Sequence, residues 1–104
     1  MTNLAYVGNA PGSVLLPARA ITRAAFLRRF SDGEAIEIDL ASIGATVDAA
    51  AIRRYLSLVN AAAFVDLDDA VTREGVQALE AVQLIGAGRA AEILDAPVVP
   101  GERP

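Results

Sequence analysis

Apolar side chains recur at helical spacing along most of the chain after residue 22. Thr22 is suited to cap a helix over residues 23–30, since a threonine oxygen can accept from the free amides of a first turn. That helix sets Phe26 and Phe30 one turn apart, on one face. The two rings are therefore predicted to belong to the core.

The next segment carries both helical and strand patterns. Ser31-Asp32-Gly33-Glu34 has the spacing of a capping box, which starts a helix running toward Ile43. The run Ile36–Leu40 alternates perfectly, as a strand does, but Ile36, Leu40 and Ile43 also fit the i, i+4, i+7 spacing of a helix. We favour the helix because a capping signal precedes it and no partner strand is evident.

Three further helices are predicted between Gly44 and Pro97. Thr46 or Asp48 can cap the third and Asp69 the fourth, with a transition between them. Gly86-Ala87-Gly88 turns the chain into a short fifth helix, which Pro97 stops. The apolar stripes are Ile52, Leu56 and Val59 in the third helix, Val76, Leu79 and Val82 in the fourth, and Ala90, Ile93 and Leu94 in the fifth.

The two ends of the chain differ from this helical middle. Two short apolar runs, Leu4–Val7 and Val14–Leu16, flank a cluster of turn residues at 8–12. They predict an extended arm over residues 1–21, whose runs can pair as a short β-hairpin; a disordered leader is the alternative. Residues 96–104 are polar with Pro and Gly, and we expect a flexible, frayed tail.

The predicted fold is all-α, a small bundle of four to five short helices over residues 22–95 between the arm and the tail. A chain of 104 residues can form one domain with one core. Its 22 alanines favour helices that approach closely around a few large side chains. Neither a membrane-spanning run nor a signal peptide is evident, so we expect the protein to stay in the compartment where it is made.

Missing residue types narrow the chemistry further. The chain has no His, Cys or Lys, which removes the usual neutral-pH base, thiolate chemistry and structural zinc, and Schiff-base and P-loop chemistry. Asp66-Leu67-Asp68-Asp69 fails as a calcium loop because Val71 and Gln77 stand where a Gly and a Glu belong. The glycines at 86–88 are a better helix–helix turn than an anion site. We therefore expect no enzyme, no cofactor and no metal.

Charge divides the chain unevenly. The four arginines among residues 1–30 face no acid in that segment, whereas all 13 carboxylates lie in residues 31–104. Such a basic leader beside an acidic body favours a protein partner. Nucleic acid is not the partner that we expect: the fourth and fifth helices resemble a helix-turn-helix flanked by Arg73 and Arg89, but that segment is acidic and would repel phosphate.

Four stretches of the chain resemble small helical proteins encoded among the structural and tail genes of tailed bacteriophages. They are residues 23–34, 64–69, 75–80 and 84–94, within a span of roughly 22–95. Phe-Val-Asp-Leu-Asp-Asp at 64–69 and Gly-Arg-Ala-Ala-Glu-Ile-Leu at 88–94 are the more specific. The resemblance implies a virion component of the tail, baseplate or connector region, assembled in the host cytoplasm.

These observations together predict an interaction protein that binds other phage structural proteins, or copies of itself as an oligomer, through its arm. A small phage regulatory protein that binds a host protein or DNA is the alternative. We expect no small-molecule substrate and no membrane partner. The predicted partner-binding residues are Tyr6, Val14, Leu15 and Leu16, which supply apolar contact, and Arg19 and Arg23, which meet carboxylates.

Overall fold

Five short α-helices and a two-stranded sheet make up the computed structural model, which describes residues 16–104. This part of the chain is roughly all-α, as predicted, with a small sheet that the sequence did not predict. A short 3-10 helix, Pro100–Glu102, follows the last α-helix. The elements in order are β1 (Ala20–Ile21), α1 (Arg23–Arg28), α2 (Asp32–Ala41), α3 (Val47–Ala61), β2 (Val65–Asp66), α4 (Ala70–Ala81) and α5 (Arg89–Asp95).

Side-chain caps start four of the helices where the sequence placed them. The Thr22 and Thr46 hydroxyls accept from amides three residues on, at 3.0 and 3.1 Å, so Thr46 rather than Asp48 caps α3. The capping box of α2 is complete: Glu34 N donates to Ser31 Oγ at 3.1 Å, and Ser31 N donates to Glu34 Oε1 at 2.8 Å. The Asp69 carboxylate accepts from the first amides of α4.

The sheet joins the start of the described chain to the segment before α4. β1 and β2 are antiparallel, with Ala20 opposite Asp66 and Ile21 opposite Val65. Both residues of β1 have no exposed surface at all. The predicted arm over residues 1–21 therefore ends too late, because its last two residues are part of the core. The predicted hairpin between Leu4–Val7 and Val14–Leu16 lies almost wholly outside the described residues.

The core gathers one or two large side chains from each element. Phe26 is buried and meets Phe30 edge to face, with 5.5 Å between ring centroids and an interplanar angle of 82°. The two rings thus contact each other as the one-turn spacing predicted. The other side chains that are almost completely buried are Ile21, Leu67, Val76, Ile93 and Leu94.

Helix α2 buries a different face from the one that its spacing suggested. The helix itself is confirmed, and the strand alternative for Ile36–Leu40 is wrong. Its buried residue is Ile38, however, while Ile36, Leu40 and Ile43 are 59%, 61% and 73% exposed. Ile36 and Leu40 lie on the outer side of the helix, and Ile43 follows its end; we call these three residues the α2 stripe.

The last residues pack against the body, in contrast to the frayed tail expected for 96–104. Arg29 donates to both carboxylate oxygens of Glu102, at 2.9 and 2.7 Å. Thr22 N donates to Glu102 O at 2.8 Å, and Arg103 Nη1 donates to Ala18 O at 2.7 Å. The difference arises because a bidentate, partly buried ion pair holds the segment.

Candidate interaction surface

The structure describes three of the six predicted partner-binding residues. Tyr6, Val14 and Leu15 lie outside the described residues; Leu16 is 39% exposed. Arg19 and Arg23 are turned toward their own chain. Arg19 donates to Ala96 O at 2.8 Å and reaches Asp68 at 3.3 Å, and Arg23 donates to Asn60 O.

Most arginines form hydrogen bonds within this chain, so the unevenly distributed positive charge contributes to holding the fold together. Seven of the nine donate hydrogen bonds to carbonyl or carboxylate oxygens within the described residues. These seven are Arg19, Arg23, Arg29, Arg53, Arg73, Arg89 and Arg103. The planar guanidinium suits such multiple contacts, so basic side chains here stabilise the fold.

Arg89 holds the beginning of α2 against α5. Its Nε and Nη2 donate to the two carboxylate oxygens of Glu34 at 2.7 and 2.8 Å, and Nη2 also donates to Arg29 O at 3.0 Å. The hydrogen bond from Arg89 lowers the pKa of Glu34 to about 2, against a smaller opposing effect of burial. Glu34 is therefore ionised at neutral pH and is not a general acid.

The acidic residues before α4 serve turns and caps. Asp66 accepts from the amide of Asp68 at 3.0 Å, Asp68 pairs with Arg19, and Asp69 caps α4. The first amides of α5 have an anion of their own chain: Glu80 Oε1 accepts from Ala90 N at 2.9 Å. Both arrangements give these groups structural partners in place of a ligand.

An apolar groove separates the two long helices, and the sequence did not indicate it. Its volume is about 430 Å³. Tyr55 lies at the groove, where its hydroxyl donates to Thr72 O at 3.0 Å and burial raises the pKa of the phenol. The lining residues are Ala41 of α2; Thr46, the cap of α3; Asp48, Ala49, Ala51, Ile52 and Tyr55 of α3; Gly75, Ala78 and Leu79 of α4; and Val82 and Leu84 after it.

The space exists because small residues line much of it. Ala49, Ala51 and Ala78 line the gap with no more than a methyl group each, and Gly75 brings α4 directly against the Tyr55 ring. Helical periodicity marks Ile52 and Leu79 as apolar positions, but it gives no sign that the alanines between them leave a cavity. Almost all of the exposed lining is apolar, and the Tyr55 hydroxyl is already bonded.

Within residues 16–104, no group of three or more acidic side chains comes together as a metal site. Among the residues that line the groove, the polar side chains are Thr46, Asp48 and Tyr55; Thr46 caps α3 and the Tyr55 hydroxyl bonds Thr72 O. None of the described helices has both the length and the apolar character to cross a membrane. The candidate surface is therefore made of two apolar features, the α2 stripe and the groove.

No protein family, no curated protein and no solved structure matches this chain.

Proposed function

We propose that this chain is a structural component of a tailed-phage particle, in the tail, baseplate or connector region of the virion, and that it binds neighbouring particle proteins. The resemblance of residues 23–34, 64–69, 75–80 and 84–94 to phage structural proteins suggests the class of particle. The apolar surface of the described residues supports an interaction role.

The α2 stripe is the observation that carries the proposal. Ile36 and Leu40 lie one turn apart on the outer side of α2, and Ile43, just after the helix ends, extends this exposed apolar ridge along the chain. Val47, at the start of α3, is 85% exposed and follows in the chain. Scattered exposed apolar residues are ordinary, but a ridge of this kind is typical of a protein interface. A particle neighbour covers it in this proposal.

The arm supplies a second contact in the same proposal. Arg19, near the end of the arm, donates to Ala96 O, and Arg23 of α1 donates to Asn60 O, so both hold this part of the chain on the body. Leu16 is the described end of an apolar run, and Tyr6, Val14 and Leu15 complete the set that we propose to lie on an adjacent subunit. The affinity then comes mainly from buried apolar side chains, since exposed ion pairs contribute little.

Mass spectrometry of purified particles from the phage that encodes the chain tests this function. We expect the protein at a fixed stoichiometry. A phage regulator, the competing class, would be absent from the particle and present only in the infected cell, and that result would overturn the proposal.

A matched pair of substitutions tests the α2 stripe. Leu40→Glu places a charge in the ridge and should lower incorporation into particles about tenfold or more. Ala35→Glu, at an exposed position of the same helix away from the ridge, should incorporate normally. Circular dichroism of both variants checks that the fold is kept. Equal incorporation of the two variants would show that the ridge is not an interface.

A further inference from the structure

Helices α3 and α4 each carry a second stripe besides the one that enters the core, and this stripe is apolar except for one arginine. In both helices it has the spacing i, i+4, i+7, i+11. Its members are Val47, Ala51, Arg54 and Leu58 along α3, and Val71, Gly75, Ala78 and Val82 along α4. The four large aliphatic side chains are between 47% and 85% exposed. This spacing is typical of helices that pack along a seam, and the seam is open within residues 16–104.

The two stripes lie side by side, and we call the surface that they form the α3–α4 face. Thr46 before α3 and Val82 after α4 line the same groove, and the Tyr55 ring lies against Gly75. The two helices therefore run in opposite directions, and residues one turn to either side of this contact are level with each other. The level pairs are Val47 with Val82, Ala51 with Ala78, and Leu58 with Val71. Asp48, in the first turn of α3, borders one end of the face.

Opposite charges stand at the two long edges of the face. Tyr55 and Gly75 meet between the helices, so their neighbours Arg54 and Glu74, rotated by about 100° around each helix, lie toward the outer edges. Both are exposed, and within residues 16–104 neither takes part in an ion pair. The face is thus basic along α3 and acidic along α4, at about the same level.

A second copy of the chain satisfies both charges at once. If two copies meet face to face about a two-fold axis parallel to the helices, α3 of one copy lies on α4 of the other with the levels unchanged. Arg54 then lies opposite Gly75, which leaves room for it, and beside Glu74. An axis across the helices would place like charges opposite each other, which is unfavourable. Residues 1–15 carry no charged side chain, so as occupants they would leave both charges unpaired.

We propose that two copies of this chain form a symmetric dimer through their α3–α4 faces, with α3 of each copy antiparallel to α4 of the other. The level pairs of one molecule become the contacts between molecules, each made twice, and each copy covers the groove of the other. This inference is independent of the particle proposal, because it involves neither the arm nor the α2 stripe.

The size of the face sets the strength of the dimer. Helix α4 has 12 residues and is about 18 Å long, and two helices side by side are about 20 Å wide. A face of this size lies at the small end of specific protein interfaces. The dimer should therefore dissociate reversibly, with a dissociation constant of about 1–100 μM.

The first test measures self-association of the full chain by sedimentation equilibrium. Arg54→Glu and Glu74→Arg each bring like charges together at both symmetric contacts, and each should weaken the dimer about tenfold or more. An equal mixture of the two variants should form a heterodimer about as strong as the unchanged dimer, because every acid again meets an arginine. Arg28→Glu, at an exposed position on α1, is the matched control and should dimerise normally.

Two results of this test would overturn the proposal. One is a full chain that stays monomeric up to about 1 mM, well above the expected dissociation constant. The other is a pair of variants that dimerise as strongly as Arg28→Glu, because the charges at the edges of the face would then have no part in association.

The second test locates the contacts in a dimer of isotope-labelled and unlabelled copies. Filtered NOE spectra should show methyl contacts between copies from Leu58 to Val71 and from Val47 to Val82. The double variant Arg54→Glu/Glu74→Arg should dimerise like the unchanged chain, since exchanging the charges preserves the pairing. Contacts between two copies of α3, contacts through the α2 stripe, or a face that meets residues 1–15 would each contradict the proposed dimer.

Discussion

Gly75 allows α4 to pack directly against the Tyr55 ring of α3. A Cβ atom built at this position would lie 1.9 Å from Cε1 of Tyr55, far inside van der Waals contact. The Tyr55 ring is held there by its hydrogen bond to Thr72, so it cannot simply swing away. The pair therefore sets the separation of α3 and α4, and with it the shape of the groove.

We predict that Gly75→Ala destabilises the protein by about 1–3 kcal/mol, since overpacking forces a helix or a ring to shift. Gly33→Ala is the matched control, because that glycine is also helical and its nearest atom is 4.0 Å away. It should raise stability slightly, by about 0.5–1 kcal/mol. Urea unfolding of both variants measures the difference. Equal stabilities would mean that α4 is not held against Tyr55.

Glu34 makes the stability of the folded protein depend on pH in the acidic range. Its pKa is about 2 in the folded chain and close to 4.3 in an unfolded one, so the unfolded state binds the proton more readily. The stabilisation by Arg89 is therefore fully present above about pH 4.5 and is lost as the pH falls toward 2.

Glu34→Gln tests this contribution. The variant should be less stable than the unchanged protein at pH 7 by about 1–3 kcal/mol, because a charge-assisted bidentate contact is lost. Between pH 4.5 and 2 its unfolding free energy should fall less steeply. Parallel pH profiles of the two proteins, from thermal or urea unfolding, would contradict this account.

At the scale of the elements, local signals in the sequence were sufficient to locate helices. Thr22, Ser31 and Asp69 cap helices as predicted, because a cap depends on residues only two or three positions away. The face that α2 buries was not predictable in the same way. Ile38 and the α2 stripe are both apolar, and only the position of the neighbouring helices decides between them.

The candidate site was even harder to predict from the sequence than the buried face of α2. The groove depends on alanines, which fit any helix face, and on the depth to which Tyr55 packs on Gly75. The ion pairs join residues that lie far apart, 55 positions for Glu34 and Arg89 and 73 for Arg29 and Glu102. No spacing rule links such pairs, and for the same reason the sequence predicts Arg19 and Arg23 as partner-binding groups although both bond to their own chain.

The two faces of α2 can be told apart by truncation. Ile38→Ala should cost about 2–5 kcal/mol because it leaves a cavity in the core, whereas Leu40→Ala should change stability by less than about 0.5 kcal/mol. Chemical denaturation of the isolated protein measures both. A larger loss for Leu40→Ala than for Ile38→Ala would mean that the helix is rotated.

The C-terminal segment is a structural element of the domain. A chain ending at Ala96 loses the Glu102 carboxylate and leaves Arg29, whose side chain is 8% exposed, without its charge partner. We expect a loss of about 1–3 kcal/mol, because the charge-assisted hydrogen bonds of a partly buried pair are lost. Differential scanning calorimetry gives the comparison, with Glu102→Gln as a variant that keeps the segment. Truncation without effect would restore the interpretation of a frayed tail.

At the scale of the whole molecule, the core of the described residues extends from Ile21 of β1 to Leu94 of α5, with Val98 packed against it. The boundary between arm and domain lies before Arg19, since Arg19 contacts Asp68 and Ala96 and the two residues after it are fully buried. Deletion experiments on the arm should therefore stop at residue 15.

Two deletions locate this boundary. Removal of residues 2–15 should leave the melting temperature within about 2 °C of the full chain, because the core is kept. Removal of residues 2–21 takes away β1 and should abolish cooperative unfolding. Circular dichroism during heating distinguishes the two. Similar curves for both deletions would place the boundary beyond Ile21.

The contact between Arg103 and Ala18 spans 85 positions, so it can form only when synthesis of the chain is nearly finished. Synthesis runs from the first residue onward, so β1 must wait for β2 to leave the ribosome, and Arg29 must wait longer for Glu102. The segment with Leu4 and Tyr6 leaves the ribosome before the rest of the chain is synthesised. Any neighbour that captures it can do so on a nascent polypeptide, which favours assembly among copies translated from the same messenger.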